Sequence, residues 1–403
     1  MYPSFQAFRE DFDALALAGY FKIVSKPVSR LKRSLHDAYR TAVWVVVITY
    51  NLQHVIRVIQ ARHSTEQMVN TLFVLLTTLN TLGKQIAFNA RSARIDRLVE
   101  IIEGPLFASR NAYHEEIMKA HALEMSRLLK LYHAAIYMCG VMFGVFPLVN
   151  RILGEEVEFT GYFPFHTNDV LPFALALSFN TIVITFQAYG NVTLDCTIVA
   201  FFAHSKIQLQ MLRYNLEHLV DRNWTKLDTK INNTSVPKTF IDIEDAAFGE
   251  LLRKRVAHCV EHYKIIVWFT NEVETVFGES MVVQFFVMAW VICMTVYKIA
   301  GLSLLSAELV TMALYLCCML AQLFIYCFYG TQVKYESEFI NHSLYCGDWL
   351  ALSPRLRRLL LVMMVRCSRA VAPRTAYIIP MSLETYIAVL RSSYTLFTFL
   401  ERK

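Results

Sequence analysis

Two histidines and a pair of cysteines are the residues whose spacing first suggests chemistry. His258 and His262 lie four positions apart with Cys259 between them, so one helix face could present both rings to a metal ion. No glutamate follows in the His-Glu-x-x-His arrangement of zinc hydrolases, and the segment is amphipathic, so packed or solvated histidines are favoured. Cys317 and Cys318 fall in an apolar run and are interpreted as apolar packing.

The other polar residues form no catalytic constellation, and there is no glycine-rich phosphate loop. The basic segments lack a nucleic-acid-binding pattern and are typical of topology determinants beside anionic lipid. The sequence therefore predicts no catalytic residue, no metal, no cofactor and no nucleic-acid partner, and it predicts contact with membrane lipids.

The last apolar stretch of the chain carries a stripe of polar residues. Its members follow one another at alternating steps of four and three, which is one face of a helix: Glu384, Ala388, Arg391, Thr395, Thr398 and Arg402. All except Ala388 are polar, and charged groups within hydrocarbon are expensive and face protein or water. One stripe lines only one wall, so several subunits would have to bring their terminal helices to a common axis to enclose a hydrated path.

This stripe predicts an ion pore at the centre of an oligomer. The predicted pore-lining residues are Arg391, Thr395, Thr398, Phe399 and Arg402. Phe399 lies beside the stripe, where a ring of bulky apolar side chains could gate the path by dewetting. The alternative left open is that the stripe hydrogen-bonds neighbouring helices within one subunit.

The composition is that of a membrane protein with many spans. Of the 403 residues, 55% are hydrophobic and only 18% are charged, and the mean hydropathy is +0.38. A soluble protein of this length carries more charge. Several apolar runs reach the roughly 20 residues that a helix needs to cross a bilayer. Seven transmembrane helices are predicted, at 39–59, 68–88, 132–150, 171–202, 276–300, 308–333 and 377–400.

Lysine and arginine are distributed unevenly between the segments that separate these spans. Four alternate segments, beginning with the N-terminal tail, hold thirty of them, and the other four segments hold four. Because basic residues collect on the cytoplasmic side, the N-terminus is predicted to be cytoplasmic and the C-terminus extracellular. This is the reverse of a G-protein-coupled receptor, so a metabotropic seven-span chemoreceptor is the weaker alternative. A transporter or membrane enzyme is a third hypothesis, for which no motif or repeat is found.

Helical patterns continue beyond the membrane on the predicted cytoplasmic side. Apolar residues recur at steps of three and four within 203–275, and another amphipathic stretch lies within 334–376. We expect these extensions to form a cytoplasmic helical bundle that anchors subunits to one another, although they could also only pack within one chain. The predicted fold class is therefore an all-α polytopic membrane protein with a cytoplasmic anchor bundle.

A set of residues spread over 322–397 forms a pattern that is typical of one protein family. It consists of Gln322, Phe324, Tyr326, Cys327, Gly330, Glu336, Ser337, Tyr345, Trp349, Ser382, Leu383, Glu384, Thr385, Tyr386, Ser393, Tyr394 and Phe397. In residue types and order it resembles the C-terminal signature of insect odorant receptors. The length, the seven predicted spans and the inverted orientation extend the resemblance over 1–403 as a single domain. One departure is Tyr377, where the family has glycine, and it puts in doubt only how the last helix enters the membrane.

The resemblance implies a ligand-gated, nonselective cation channel subunit that binds a small volatile odorant. Tuning receptors of this family assemble with a shared co-receptor subunit in heterotetramers, in the plasma membrane of the olfactory sensory neuron's dendrite. Their terminal helices, here 377–400, line the central pore, and the cytoplasmic bundle is the main anchor between subunits. The co-receptor has a much longer loop before the fifth span. This chain lacks that insertion and so resembles an odorant-binding tuning subunit.

The family's odorant pocket lies in the outer half of the bundle, between the second, third, fourth and sixth spans. By that resemblance the candidate ligand-binding residues are Phe73, Leu76, Phe143, Phe146, Phe179, Val183, Met312 and Tyr315. An apolar pocket with a few hydroxyls suits a small volatile that is held by dispersion and burial rather than by salt bridges.

Overall fold

The chain folds almost entirely into α-helices. The computed structural model describes residues 3–24, 29–61, 65–154, 157, 159–165, 169–220, 246–300, 307–375 and 378–401. Within these residues there are eleven α-helices, one 3-10 turn and two strands of two residues each. The all-α fold expected from the sequence is therefore confirmed.

The helices surround one long central helix. In chain order they are α1 Gln6–Leu17, α2 Arg30–Gln60, α3 Thr65–Ala90, α4 Ser92–Ile102, α5 Ala112–Ile152, α6 Val170–Glu217, α7 Ala246–Ala300, α8 Ala307–Glu338, α9 Ile340–Cys346, α10 Pro354–Cys367 and α11 Leu383–Glu401, with the 3-10 turn at Trp349–Ala351. Helix α6 is the central one, because it packs against α1, α2, α3, α5, α7, α8 and α9. Strands β1 Arg374–Thr375 and β2 Ile379–Pro380 pair antiparallel just before α11.

Five stretches of the described residues are long and apolar enough to cross a membrane, and they lie on α2, α5, α6, α7 and α8. Large apolar side chains such as Val45 and Ile182 are exposed on the outer faces of these helices, as contact with lipid requires. The second and seventh predicted spans lie on α3 and α11, which are less apolar because they carry charges such as Lys84 and Arg391. The number of seven spans and their orientation stay predictions.

Three helices are far longer than a membrane crossing requires. Helix α5 has 41 residues, α6 has 48 and α7 has 55, whereas roughly 20 residues suffice to span a bilayer. Helices α6 and α7 therefore continue without a break into the predicted extension 203–275. Residues 221–245 of that extension lie outside the described residues. The other extension, 334–376, contains the end of α8, then α9 and α10.

The main hydrophobic core lies at the end of the molecule that these extensions build. Helix α1 packs against α5 and α6 there and buries Phe8, Phe12 and Leu15 almost completely. The ring of Phe8 lies 5.0 Å from that of Phe201 on α6. Burying each such side chain contributes about 1.5–3 kcal/mol, so this short N-terminal helix is an integral part of the bundle.

Residues of the C-terminal pattern connect α8 to the bundle. The Glu336 carboxylate accepts hydrogen bonds from Arg213 Nη1 at 2.5 Å and from Gln210 Nε2 at 2.7 Å. The hydroxyl oxygen of Ser337 accepts the backbone N–H of Val371 at 2.8 Å. The Glu336 contacts join α8 to α6, and the Ser337 contact holds the segment between α10 and the hairpin against α8.

The terminal helix α11 begins at Leu383, later than the predicted start at 377, because the hairpin containing Pro380 precedes it. Ser382 caps the helix, since its Oγ accepts the backbone N–H of Thr385 at 3.3 Å. The N–H of Leu383 is donated to Thr331 Oγ1 on α8 at 3.0 Å. The pattern Ser-Leu-Glu-Thr is thus a helix start.

Two close approaches hold the hairpin in place. A Cβ atom on Gly330 of α8 would overlap the carbonyl oxygen of Met381, so the backbone packs directly on the helix. On α7 the buried carboxylate of Glu274 accepts the backbone N–H of Arg374 at 3.1 Å. Burial raises the pKa of Glu274 to about 7. The hydrogen bond from the Arg374 backbone and the charge of Arg374 lower this pKa, but their effect is smaller than that of burial.

Candidate functional site

A cavity of about 100 Å³ lies between α3, α5, α6 and α8. Its lining comes from all four helices: Phe73, Val74, Thr77, Thr78 and Thr81 of α3; Tyr132, Ala135, Ile136, Cys139, Gly140 and Phe143 of α5; Ile184, Thr185, Gln187, Ala188, Asn191 and Val192 of α6; and Tyr315, Cys318, Met319 and Gln322 of α8. Most of these side chains are apolar or aromatic, so the cavity can take up an apolar molecule.

The hydroxyls on α3 are mostly engaged with their own helix. Thr77 donates to the Phe73 carbonyl at 3.0 Å and lies 3.4 Å from the Tyr315 hydroxyl. Thr78 donates to the Val74 carbonyl, and Thr81 to the Thr77 carbonyl. The rings of Phe73 and Tyr315 are 5.0 Å apart. This side of the cavity therefore presents carbon surface rather than free donors.

Helix α5 approaches α6 and α8 closely beside the cavity. A Cβ atom on Gly140 would overlap the Thr185 hydroxyl, so glycine allows these two helices to touch. The sulfur atoms of Cys139 and Cys318 are 3.8 Å apart, and both cysteines are free thiols. The cavity is therefore bounded by tight helix contacts.

A buried ion pair is hydrogen-bonded to two polar residues of the cavity lining. Lys84 Nζ of α3 lies 2.5 Å from Asp195 Oδ1 of α6, and both side chains are almost fully buried. Asp195 also accepts hydrogen bonds from Tyr326 Oη at 2.6 Å and from Gln322 Nε2, both on α8. Lys84 donates a second bond to Asn191 Oδ1 at 2.9 Å. We call these five residues the polar floor.

The polar floor satisfies the requirement that buried charges be paired and hydrogen-bonded. It joins α3, α6 and α8 at one level. Two of its members, Asn191 and Gln322, also line the cavity. The floor is therefore both a structural tie between three helices and a polar surface available to whatever occupies the cavity.

The eight predicted ligand-binding residues lie on the four helices that enclose the cavity, but at different depths. Phe73, Phe143 and Tyr315 line it. The other five, Leu76, Phe146, Phe179, Val183 and Met312, do not. The ring of Phe179 instead lies 6.4 Å from the ring of Tyr50 on α2. The cavity extends further along α6 and α8, towards Asn191 and Gln322, than the predicted residues do.

Sequence reasoning did not identify the polar floor. The signal was present, because Lys84 and Asp195 lie within the apolar spans predicted at 68–88 and 171–202, and charges in such spans face the bundle interior and are usually functional. That principle was applied only to the terminal helix.

The polar stripe of α11 lies on the face turned away from the rest of the chain. Helix α11 packs on α7 and α8, with Leu383, Tyr386 and Val389 against an apolar cluster of those helices. Glu384, Ala388, Arg391 and Thr395 are exposed, and Thr398 is half-buried.

The hydroxyls of the stripe bond only to α11 in the described chain. Thr395 donates to the Arg391 carbonyl at 2.9 Å and Thr398 to the Thr395 carbonyl at 2.9 Å. No hydrogen bond or ion pair between described residues joins the side chain of Glu384 or Arg391 to another helix. The side chain of Phe399 and the whole of Arg402 lie outside the described residues.

The two histidines considered at the outset lie in a cluster at the end of the bundle outside the predicted spans, where His262 is buried and His258 is half-buried. His262 Nε2 is 2.9 Å from Gln208 Oε1, and His204 Nε2 is 3.2 Å from Gln208 Nε2. Burial lowers the pKa of His258 to about 4, with Arg110 adding to the effect, and lowers that of His262 as well. Among the described residues no group of three or more His, Cys, Asp or Glu is arranged to hold a metal ion.

Comparison with known proteins assigns the chain to a family. The sequence profile described as 7tm odorant receptor matches residues 64–394, which is most of the 403 residues. The chain belongs to the odorant receptor family. This receptor is 24% identical over 378 residues to odorant receptor 46a, isoform A, of Drosophila melanogaster, with 93% of each chain covered. It is 20% identical over 356 residues to odorant receptor Or1 of Anopheles gambiae, covering 83% of the receptor and 81% of that protein.

Solved structures agree with the fold. The receptor superposes on the insect olfactory receptor OR5 from Machilis hrabei with a TM-score of 0.81, at 14% identity, over 98% of its own length and 97% of the other chain. The structure of the same protein in complex with eugenol gives a TM-score of 0.78 at 15% identity. The receptor therefore shares the fold of that protein. As a member of the odorant receptor family, it is a membrane receptor and not an enzyme.

Proposed function

We propose that this receptor is an odorant-gated, nonselective cation channel subunit, which binds a small volatile in the cavity between α3, α5, α6 and α8 and opens a central pore together with a co-receptor subunit. The observation that carries the proposal is a mostly apolar cavity between four helices, within a chain of the odorant receptor family. A related fold, OR5 of Machilis hrabei, has been solved with the volatile eugenol. The site of action is the plasma membrane of the olfactory neuron's dendrite.

The exposed stripe of α11 supports a pore formed between subunits. In a single chain the side chains of Glu384 and Arg391 would face lipid, which is costly for charged groups. A position at a water-filled axis shared by several chains removes that cost. Such an axis also requires a surface that holds the subunits together.

Helix α10 supplies a candidate for that surface outside the predicted spans. Its apolar residues Leu361, Val362 and Val365 are exposed in the single chain. An exposed apolar patch on a segment outside the membrane marks an interaction surface. These residues support a bundle that anchors this receptor to a co-receptor in a heterotetramer.

Current recording tests the function directly. One set of oocytes expresses the receptor with the insect odorant receptor co-receptor, a second expresses the receptor alone, and a third expresses the co-receptor alone. A panel of volatiles is applied to each set. We expect rapid, ligand-evoked cation current when both chains are present, and in excised patches without nucleotide. A current that needs guanine nucleotide would instead support the metabotropic alternative. The absence of any current, with both chains at the surface, would contradict the proposal.

Arg391→Gln tests the pore. Removing a positive charge from the wall of a cation path should raise single-channel conductance for cations, because a fixed positive charge repels them. The matched control is Arg33→Gln, which removes an exposed arginine at the start of α2 and should leave conductance unchanged. If neither conductance nor relative permeability changes in Arg391→Gln, Arg391 does not line the path.

A further inference from the structure

The polar floor fixes the orientation of two amide side chains that line the cavity. Asn191 must turn its Oδ1 towards Lys84, because a lysine ammonium can only donate. Gln322 must turn its Nε2 towards Asp195, because a carboxylate can only accept. Each amide therefore has one atom left over. Among the described residues, the hydrogen bonds of these side chains leave the donor Asn191 Nδ2 and the acceptor Gln322 Oε1 unused.

A third amide, Gln187, lines the cavity one helical turn before Asn191 on α6. The side chain of Gln187 is only 2% exposed, and neither its Nε2 nor its Oε1 has a hydrogen-bond partner among the described residues. The great majority of buried polar groups in proteins have a hydrogen-bond partner, so an unpartnered buried amide indicates that a bound molecule supplies the partner. Gln187, Asn191 and Gln322 together offer unfilled donors and unfilled acceptors to a mostly apolar cavity. The hydroxyls of Tyr132 and Thr185 in the same lining also have no partner among the described residues.

Few neutral polar groups can hydrogen-bond to a donor and to an acceptor at the same time. A hydroxyl donates one hydrogen bond and accepts others. A ketone, aldehyde, ester or ether only accepts, and a hydrocarbon does neither. A charged ligand would have to be stripped of water without a free counter-charge, because Lys84 and Asp195 already neutralise each other.

We propose that Gln187, Asn191 and Gln322 recognise the hydroxyl group of a small volatile alcohol. This inference rests on the proposed function, since it takes the cavity as the odorant site. The hydroxyl oxygen accepts from Asn191 Nδ2 and from Gln187 Nε2, and its hydrogen is donated to Gln322 Oε1. The hydrocarbon part packs against the apolar walls, for example Phe73 and Ile136.

The cavity sets the size of the alcohol. A cavity of about 100 Å³ is somewhat smaller than one of roughly 150 Å³ that accommodates benzene in an engineered protein core. The site therefore suits compact alcohols of one ring or a short chain, provided that the side chains adjust slightly around them.

Matched sets of ligands test the inference. Each set keeps one skeleton and changes the polar group: cyclohexanol, cyclohexanone and methylcyclohexane; benzyl alcohol, benzaldehyde and ethylbenzene; and further sets of short chains. Concentration–response curves are measured for receptor and co-receptor in oocytes. In each set that activates, we expect the alcohol to be about 10- to 100-fold more potent than its matched partners, because those leave buried amides unpaired.

Variants locate the effect. In Gln187→Met the preference for the alcohol should shrink by about ten-fold, because one amide is gone and the apolar volume is kept. The matched control is Gln85→Met, which removes another fully buried amide without partners, on α3, that does not line the cavity. It should leave the preference unchanged. Surface labelling of each variant checks that it folds.

The outcomes distinguish failure of the hydroxyl assignment from failure of the proposed odorant-gated channel function. Ketones or hydrocarbons as potent as the alcohols, or an unchanged preference in Gln187→Met, would overturn the hydroxyl assignment and leave the odorant-gated channel standing. If no compound evokes current and none of the alcohols raises the thermal stability of the purified receptor, the cavity is not the odorant site, and the proposed function fails with the inference.

Discussion

At the scale of single residues, the ion pair of Lys84 and Asp195 dominates the energetics of the cavity. Both charges have been removed from water, and each is stabilised only by its partner and by neutral groups such as Tyr326. Such a pair adds little net stability compared with an apolar replacement, but loss of one member leaves an uncompensated buried charge. The two residues should therefore behave as a unit.

Lys84→Met is expected to destabilise the receptor by about 3–5 kcal/mol, and Asp195→Asn by a similar amount, because each leaves the other charge unpaired. The double variant should be more stable than the worse single variant, since it contains no buried charge and the new amide oxygen at position 195 still accepts from Tyr326. Unfolding of the detergent-purified receptor measures the effect.

The control for that cycle is an exposed ion pair. Lys22 and Asp96 have side chains that are 38% and 48% exposed, so Lys22→Met should change stability by no more than about 1 kcal/mol. Losses in the double variant equal to the sum of the two single losses would show that Lys84 and Asp195 are not coupled.

The sequence could predict part of the site at this scale. Phe73, Phe143 and Tyr315, predicted from the family resemblance, line the cavity, and their role in binding a ligand stays a prediction. Their depth could not be predicted, since it depends on how far each helix slides along its neighbour. The partner of Lys84 could not be identified from the sequence either, because Asp195 is 111 residues away. Sequence spacing predicts contacts only between residues of the same helix.

At the scale of elements, the start of the terminal helix depends on the contact between α8 and the hairpin. The hairpin's backbone reaches α8 at Gly330, where no side chain intervenes. This contact determines where α11 leaves the bundle and hence where its polar stripe points.

Gly330→Ala should destabilise the receptor by about 1–3 kcal/mol, because a methyl group there forces the backbone at Met381 to move. It should also reduce ligand-evoked current more than its effect on surface expression explains, since the start of α11 shifts. Thermal unfolding and current normalised to surface protein measure the two effects.

Gly249→Ala is the matched control for the glycine change. A Cβ at this exposed position of α7 meets no atom within 4 Å, and alanine is the better helix former by about 1 kcal/mol. This variant should be as stable as the wild type or slightly more stable. Similar losses in both glycine variants would mean that the contact at Met381 is not responsible.

Some elements followed from the sequence and others did not. The continuation of α6 and α7 beyond the membrane was predicted from apolar residues at steps of three and four, and both helices are continuous there. The hairpin was missed, because strands of two residues have no periodicity. The 377–400 segment was read as one apolar run, although Pro380 lies inside it and cannot continue a helix backbone.

At the scale of the whole molecule, the end that carries the bundle contains a buried cluster of neutral histidines. Burial lowers the pKa of each of them from 6.5, to about 4 for His114 and His258 and to about 3 for His121. It also lowers the pKa of His204 and His262 well below 6.5. The unfolded chain binds protons at these sites before the folded one does. Their contribution to stability is therefore complete above pH 6.5 and is lost as the pH falls.

Between pH 7.5 and 5.5 the receptor should lose roughly 1 kcal/mol of stability for each of these histidines. Glu274, whose pKa is raised to about 7, contributes in the opposite sense, so a comparison of variants isolates the histidine effect. His121→Gln should reduce the loss by about 1 kcal/mol. The matched control, His342→Gln, replaces an exposed histidine and should leave the loss unchanged. Equal losses in both variants would contradict the prediction.

The ion pair beneath the cavity also constrains how this gene can diverge. A substitution at position 84 or position 195 alone should give a poorly folding protein, so the two positions should change only together. The orientations of Asn191 and Gln322, which depend on the ion pair, should be kept for as long as the pair is kept. Ile136 and Met319 also line the cavity, and neither belongs to the ion pair. Descendants of this receptor should therefore drift in the shape of the molecules they detect sooner than in the polar group they require.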